Sequence, residues 1–105
     1  MSYVTATDAL IMDTDLYFIL ARSNNGTYDG WVQSFLYKWN VKKSQFELHQ
    51  LLKTHAPVSV AATVMENKYY LIFAEKSNMT QIWKYDTRQL QFKRHHFGTW
   101  WLCCY

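Results

Sequence analysis

The chain is 105 residues long, half hydrophobic and 18% aromatic, with a formal charge of +3 at pH 7. That composition excludes a disordered chain, and its single proline and three glycines exclude a flexible linker or low-complexity tract. The basic residues are scattered, with Lys42-Lys43 and Lys93-Arg94-His95-His96 the densest groups, so the charge reads as solubility and not as the one-sided basic face of a nucleic-acid binder.

The opening stretch, MSYVTATDALIMDTD, has no basic region followed by an apolar core and is not an export signal. If the protein is secreted, that signal is expected in a longer parent chain. The first predicted strand runs from about Tyr3 to Met12. The second, Leu16 to Arg22, is apolar on both faces, as a central buried strand is. Its unbroken apolar run, Leu16 to Ala21, is matched in length but not exceeded elsewhere in the chain and is too short to span a bilayer. The third strand, Phe35 to Asn40, puts Phe35, Tyr37 and Trp39 on one side by its period of two. After the turn Val41-Lys42-Lys43-Ser44 comes a fourth strand, Gln45 to Leu51.

The same series then recurs. Leu16-Tyr17-Phe18-Ile19-Leu20-Ala21 lies over Tyr69-Tyr70-Leu71-Ile72-Phe73-Ala74 at an offset of 53 residues, with Ala21 on Ala74, Ala9 on Ala62 and Met12 on Met65. Past the next loop the offset becomes 46: Lys38 falls on Lys84, Gln45-Phe46 on Gln91-Phe92 and His49 on His95. The first copy therefore carries extra residues, read as Tyr28 to Ser34 in one loop, where a structural repeat tolerates insertion. The second set of strands is predicted at Val58 to Met65, Tyr69 to Lys76, Gln81 to Asp86 and Gln91 to Phe97. A helical reading fails, because β-branched and aromatic residues crowd the apolar positions. The expected fold is all-β: two consecutive four-stranded antiparallel blades of a β-propeller, at residues 1–55 and 56–97, with 98–105 an unassigned tail. A single blade is apolar on both faces and must stack on neighbours. Two blades cannot close a ring, so a larger parent propeller or self-association through open blade edges is expected.

These residues resemble the EAR (EPTP) repeat found in the leucine-rich glioma-inactivated proteins and in the thrombospondin-type laminin G domain and EAR repeat protein. The likeness runs through Leu16 to Ser23, Ser34 to Asn40, Phe46 to Gln50 and Lys53-Thr54-His55, then through Tyr70 to Ala74, Gln81 to Asp86 and Phe92, covering about residues 4 to 97. The second copy departs from the pattern, with Tyr85 where Trp is usual and His96 in place of Gln50. The resemblance implies a seven-bladed propeller in secreted or cell-surface proteins, serving receptor binding, adhesion or signalling, with no known catalytic role. Kelch repeats need paired glycines that are absent, and WD repeats are only echoed by Trp39-Asn40 and Tyr85-Asp86; an intracellular WD-like scaffold is the alternative reading.

Asn25-Gly26-Thr27 and Asn78-Met79-Thr80 are glycosylation triplets, expected in the same loop of both copies. Asp8, on the strand that lines a propeller channel, offers a single carboxylate to a cation such as calcium, against the plainer reading of a hydrogen-bonded side chain; Ala61 stands at its counterpart. His49 and His95 fall at equivalent places on the outermost strand and lack zinc-type spacing with acids, so a surface role is expected. The stripes Phe35/Tyr37/Trp39 and Trp83/Tyr85 read as packing between blades. Tyr28 and Trp31, in the non-repeated loop, are the candidate partner contacts. Cys103 and Cys104 read as free thiols of the tail or as a vicinal or intermolecular bridge. No phosphate loop or nucleophile–base pattern occurs; the chain is read as non-enzymatic, with no cofactor and no metal.

Overall fold

The computed structural model describes residues 2–24, 32–54, 57–75 and 79–99. Strands β1 (Ser2–Met12), β2 (Asp15–Asn24), β3 (Val32–Asn40) and β4 (Gln45–Thr54) form one antiparallel sheet, in the order β1-β2-β3-β4. Strands β5 (Pro57–Met65), β6 (Lys68–Glu75), β7 (Met79–Asp86) and β8 (Gln91–Thr99) form a second, in the order β5-β6-β7-β8. The all-β class and the two four-stranded meanders are as expected from sequence.

The turns explain why each meander closes where it does. Asp13 and Thr14 join β1 to β2 with φ of 49° and 75°, and Glu66 and Asn67 join β5 to β6 with φ of 52° and 64°. Two-residue hairpins with both central residues left-handed are type I′, whose twist matches that of paired strands. The longer turns each end on a left-handed residue, Ser44 (φ 52°) or Leu90 (φ 58°). The side chain that closes the preceding strand organises each of them. Asn40 Oδ1 accepts the amide of Lys43 at 3.1 Å, and Asp86 Oδ1 accepts those of Arg88 and Gln89 at 2.8 and 3.3 Å. Those bonds, Arg88's above all, hold the Asp86 carboxyl below the usual carboxylate range.

Both sheets carry the same irregularities. The ladder shifts between Val4 and Ala6 and between Pro57 and Ser59, and again between Leu36 and Tyr37 and between Ile82 and Trp83. In the latter pair the extra residues are His49 and His95. Several strands run past their expected ends, β4 to Thr54 and β7 from Met79 among them, and two such extensions bear on the repeat. Val32 to Ser34, read as part of the inserted loop, are the first residues of β3 and pair with Thr54, Lys53 and Leu52. Gly98 and Thr99, read as the start of the tail, continue β8 against Thr80 and Met79. Backbone pairing needs no particular side chain, so the ladder outruns the repeat pattern in both places.

The sheets pack through opposite faces of the repeat. Sheet one turns inward Leu10, Met12, Tyr17, Ile19, Ala21, Leu36 and Leu52, all buried. Sheet two answers with Leu71, Phe73, Trp83 and Phe92, flanked by Val60, Ala62, Tyr69 and Tyr85. By the repeat offsets, those residues of sheet two correspond to Phe18, Leu20, Tyr37 and Phe46 of sheet one, which lie on its other, outward face. The two copies therefore stack in the same sense, front to back. Their closest approach is along the first strands, β1 against β5.

Thr14 is β-branched and held at a φ of 75°, where a Cβ costs about 1–2 kcal/mol. Thr14→Gly is expected to stabilise the chain by about 1 kcal/mol, a rise of roughly 4–8 °C in Tm. Thermal unfolding followed by circular dichroism checks this; an unchanged or lower midpoint contradicts the type I′ assignment.

Candidate interaction surfaces

A small set of polar side chains ties the sheets together. Asp8 on β1 accepts the amide of Ala9 at Oδ1 and, across the gap, the amide of Ala62 on β5 at Oδ2, both at 2.8 Å. Its carboxylate is thus committed to backbone donors, the hydrogen-bonded alternative to a cation ligand. Farther out, Gln50 on β4 donates from Nε2 to the carbonyl of Phe92 on β8 and accepts the Phe92 amide at Oε1, both at 2.7 Å. His49 Nε2 lies 2.9 Å from the Leu90 carbonyl, and its ring stands edge-on to Tyr17 at 5.5 Å. Successive strand residues normally point to opposite faces; the bulge at His49 lets both His49 and Gln50 reach the second sheet. Arg94 donates back from Nη2 to the Lys53 carbonyl at 3.2 Å.

The hydroxyls of Tyr17 and Tyr85 are hydrogen-bonded to each other. Burial raises both phenols, and it pushes Tyr85 up to about 12. Beside this pair, Trp83 Nε1 donates to Gln81 Oε1 at 3.1 Å and Gln81 Nε2 donates to Glu75 Oε2 at 2.7 Å, a chain of buried polar groups on the inner face of sheet two.

The outward face of sheet one is apolar and open. Ile11 is 63% exposed and Leu48 53%, with Phe46 and Leu51 also exposed and Phe18, Phe35, Tyr37 and Trp39 half-buried. The rings contact one another: Trp39 meets Phe46 at 5.0 Å, Phe18 meets Phe46 at 5.8 Å, and Arg22 lies over Phe35 at 4.5 Å. Trp83 and Tyr85 do pack between the sheets as expected, whereas Phe35, Tyr37 and Trp39 do not. Their half of the stripe belongs to the face that sheet two leaves uncovered.

Two equivalent clefts lie beside the long turns. That of sheet two, about 380 Å³, is lined by Lys68, Lys84, Arg88, Lys93, Arg94 and Asp86 among others. Its counterpart in sheet one, about 340 Å³, has Asp15 where the second has Lys68, Glu47 where it has Lys93 and Leu48 where it has Arg94. In sheet one the acids are matched locally: Asp15 pairs with Lys38 at 3.7 Å, and Glu47 with Lys43 at 3.3 Å. The second cleft is the basic one.

Of the residues singled out from sequence, Asn25, Tyr28, Trp31, Asn78, Cys103 and Cys104 lie outside the described residues. Thr80 of the second triplet lies in β7, only 2% exposed, opposite Ala74. By strand position its counterpart is Ser34 and not Thr27, which corrects the expectation of two aligned loop triplets. Gln50 was legible only as a matched repeat position; that its carboxamide spans two sheets is a tertiary fact. No protein-family profile matches the chain, and no curated protein matches it significantly.

Gln50→Ala leaves both backbone groups of Phe92 without their partner, at a cost of about 1–3 kcal/mol. A lower denaturant midpoint and faster hydrogen exchange at the Phe92 amide are expected; unchanged exchange there contradicts the bridge. The Tyr17–Tyr85 contact gives an alkaline signature. The folded Tyr85 keeps its proton to about 12 against an ordinary value of 10.0, so the stability it contributes is complete below pH 10 and is lost as pH rises towards 12. Phenolate absorbance is expected to show late-titrating tyrosines, and Tyr17→Phe is expected to bring the remaining late titration down while leaving Tyr85 above 10.0, because its burial persists.

Proposed function

We propose that this chain is a non-catalytic protein–protein interaction module of a secreted or cell-surface protein, built as two neighbouring blades of a β-propeller and acting in receptor binding, adhesion or signalling. The observation that carries the reading is the front-to-back stacking of two repeated meanders, closest at their first strands. Units that meet through non-equivalent faces leave one face of each kind open, and such stacks grow into rings or open arrays. A pseudo-symmetric sandwich would instead bring equivalent faces together and finish the molecule at two sheets.

The chemistry of the described surface favours binding. The inner carboxylate, Asp8, is spent on backbone amides. Among the described residues, no group of three or more His, Cys, Asp or Glu is placed to hold a metal ion. What the surface offers is aromatic area at the Phe18/Trp39/Phe46 cluster and a basic cleft, the materials of protein recognition. The likeness to EAR repeats supports an extracellular setting, and Asn25-Gly26-Thr27 supplies the acceptor for a glycan there. Because the Thr80 hydroxyl is buried, a glycan on Asn78 has to be added before β7 joins the sheet.

Native protein captured from the cells that make it is expected to shift in gel mobility after glycosidase treatment, and Asn25→Gln is expected to abolish most of that shift. An unshifted, cytosolic protein sinks the extracellular assignment. For the inserted loop, Trp31→Ala is expected to weaken partner capture about tenfold or more without lowering Tm, the behaviour of an aromatic anchor. Unaltered capture removes the loop from the binding surface.

A further inference from the structure

The two open faces of this molecule are counterparts of the two faces already joined inside it. On the inner face of sheet one lie Met12, Tyr17, Ile19, Ala21, Leu36 and Lys38. At the same positions on the outer face of sheet two stand Met65, Tyr70, Ile72, Ala74, Ile82 and Lys84, in the same register. Each of these side chains is repeated except Leu36, which becomes Ile82; at the margin of the face, buried Leu10 and Leu52 become Thr63 and Gly98. The tyrosine–histidine contact is repeated as well: Tyr17 with His49 at 5.5 Å, Tyr70 with His95 at 6.3 Å.

The receiving faces match in the same way. Sheet two presents partly buried Tyr85 edge-on to buried Phe92 at 5.0 Å and 65°, on the side that packs against sheet one. Sheet one presents Trp39 to Phe46 at 5.0 Å and 70°, uncovered. Around them, Ala62, Leu71 and Phe73 correspond to Ala9, Phe18 and Leu20.

We propose that the outer face of sheet two docks on the outer face of sheet one of a second copy of this chain, head to tail, in the register of the internal interface. Tyr70, Ile72 and Ile82 of one molecule cover Phe18, Tyr37, Trp39 and Phe46 of the next. The inference rests on how the two sheets stack and not on where the protein resides, so it stands or falls apart from the extracellular reading.

The same template says what the contact lacks. Asp8 and Gln50, which bridge the sheets internally, have Ala61 and His96 as their counterparts. The intermolecular contact is therefore weaker than the internal one and depends on concentration.

Sedimentation velocity and light scattering of the full chain over a concentration series are expected to show reversible association. Trp39→Glu blocks the face of sheet one, and Ile72→Lys blocks that of sheet two. Each variant alone is expected to be monomeric, and an equimolar mixture of the two to form a one-to-one dimer, because each still carries the face the other has lost. That rescue also shows that both variants fold. His96→Gln in the wild-type background, which restores the counterpart of Gln50, is expected to tighten association about tenfold, the gain from roughly one net hydrogen bond. A wild-type chain that stays monomeric at high concentration overturns the proposal and assigns the faces to a different protein. So does a single variant that still dimerises, which means a symmetric contact, or a mixture that stays monomeric.

Discussion

One carboxamide meets two backbone groups at the outer end of the inter-sheet gap: Gln50 takes both the amide and the carbonyl of Phe92 at 2.7 Å. Asp8 does the corresponding work at the inner end, with one oxygen on its own strand and one on β5. Apolar burial between the sheets is non-directional, and a slip of one residue along a strand would still bury something. Bonds from side chain to backbone are directional and hold only in one register. The apolar core supplies the attraction; Asp8, Gln50, His49 and the Tyr17–Tyr85 pair set the alignment. The described ion pairs, by contrast, each stay within one sheet. They steady turns and strand ends and contribute little to how the sheets meet.

The outer end of sheet one shows how completely a repeat unit can satisfy its own polar groups. The Ser34 hydroxyl accepts the Arg22 amide at 3.0 Å and lies 2.8 Å from that of Thr54, which also reaches the carbonyls of Val32 and Arg22. In sheet two the counterpart of Ser34 is Thr80, whose hydroxyl is buried and has no hydrogen-bond partner among the described residues. The counterpart of Thr54 is Trp100. The repeat pattern breaks at Gly98, and this is its physical consequence: the ladder continues to Thr99, but the side chain that would complete the polar knot has been replaced.

Much of this architecture was legible in the chain itself. The shift in offset from 53 to 46 located both meanders, because strand residues are fixed by period and burial whereas loops absorb length. The inner stripe Met12, Tyr17, Ile19 and Leu36 was visible as apolar positions. What it packed against was not, since a strand apolar on both faces gives no clue to which face meets a partner first. The same ambiguity misplaced Phe35, Tyr37 and Trp39, whose repetition suggested a buried seam and whose face is open. Thr80 was misassigned for a different reason: the triplet pattern aligned it with Thr27, while ladder pairing with Ala74 puts it in a strand. His49 and Gln50 were matched positions without a mechanism, because the bulge that sends both to one side has no signature in composition.

The two copies have diverged unevenly, and the distribution is informative. At the centre of the open face of sheet two the apolar residues Met12, Tyr17, Ile19 and Ala21 of the first copy are retained, while the changes fall around it: Leu10 to Thr63, Leu52 to Gly98, Asp8 to Ala61, Gln50 to His96, Asp15 to Lys68 and Glu47 to Lys93. The exchanges at Asp8 and Gln50 remove hydrogen bonds of the kind that join the sheets, and those at Asp15 and Glu47 turn the neighbouring cleft basic. In the register of the internal interface, His49 reaches the long turn of its neighbour, so His95 and its basic cleft would lie beside Lys42 and Lys43 of another copy. Like charges at a rim oppose contact without touching its centre. An apolar centre with a repelling rim and no buried anchors is held by area alone, which favours a contact that forms and releases. The internal interface has the opposite design, a polar bridge at each end of an apolar core, and there the sheets stay joined.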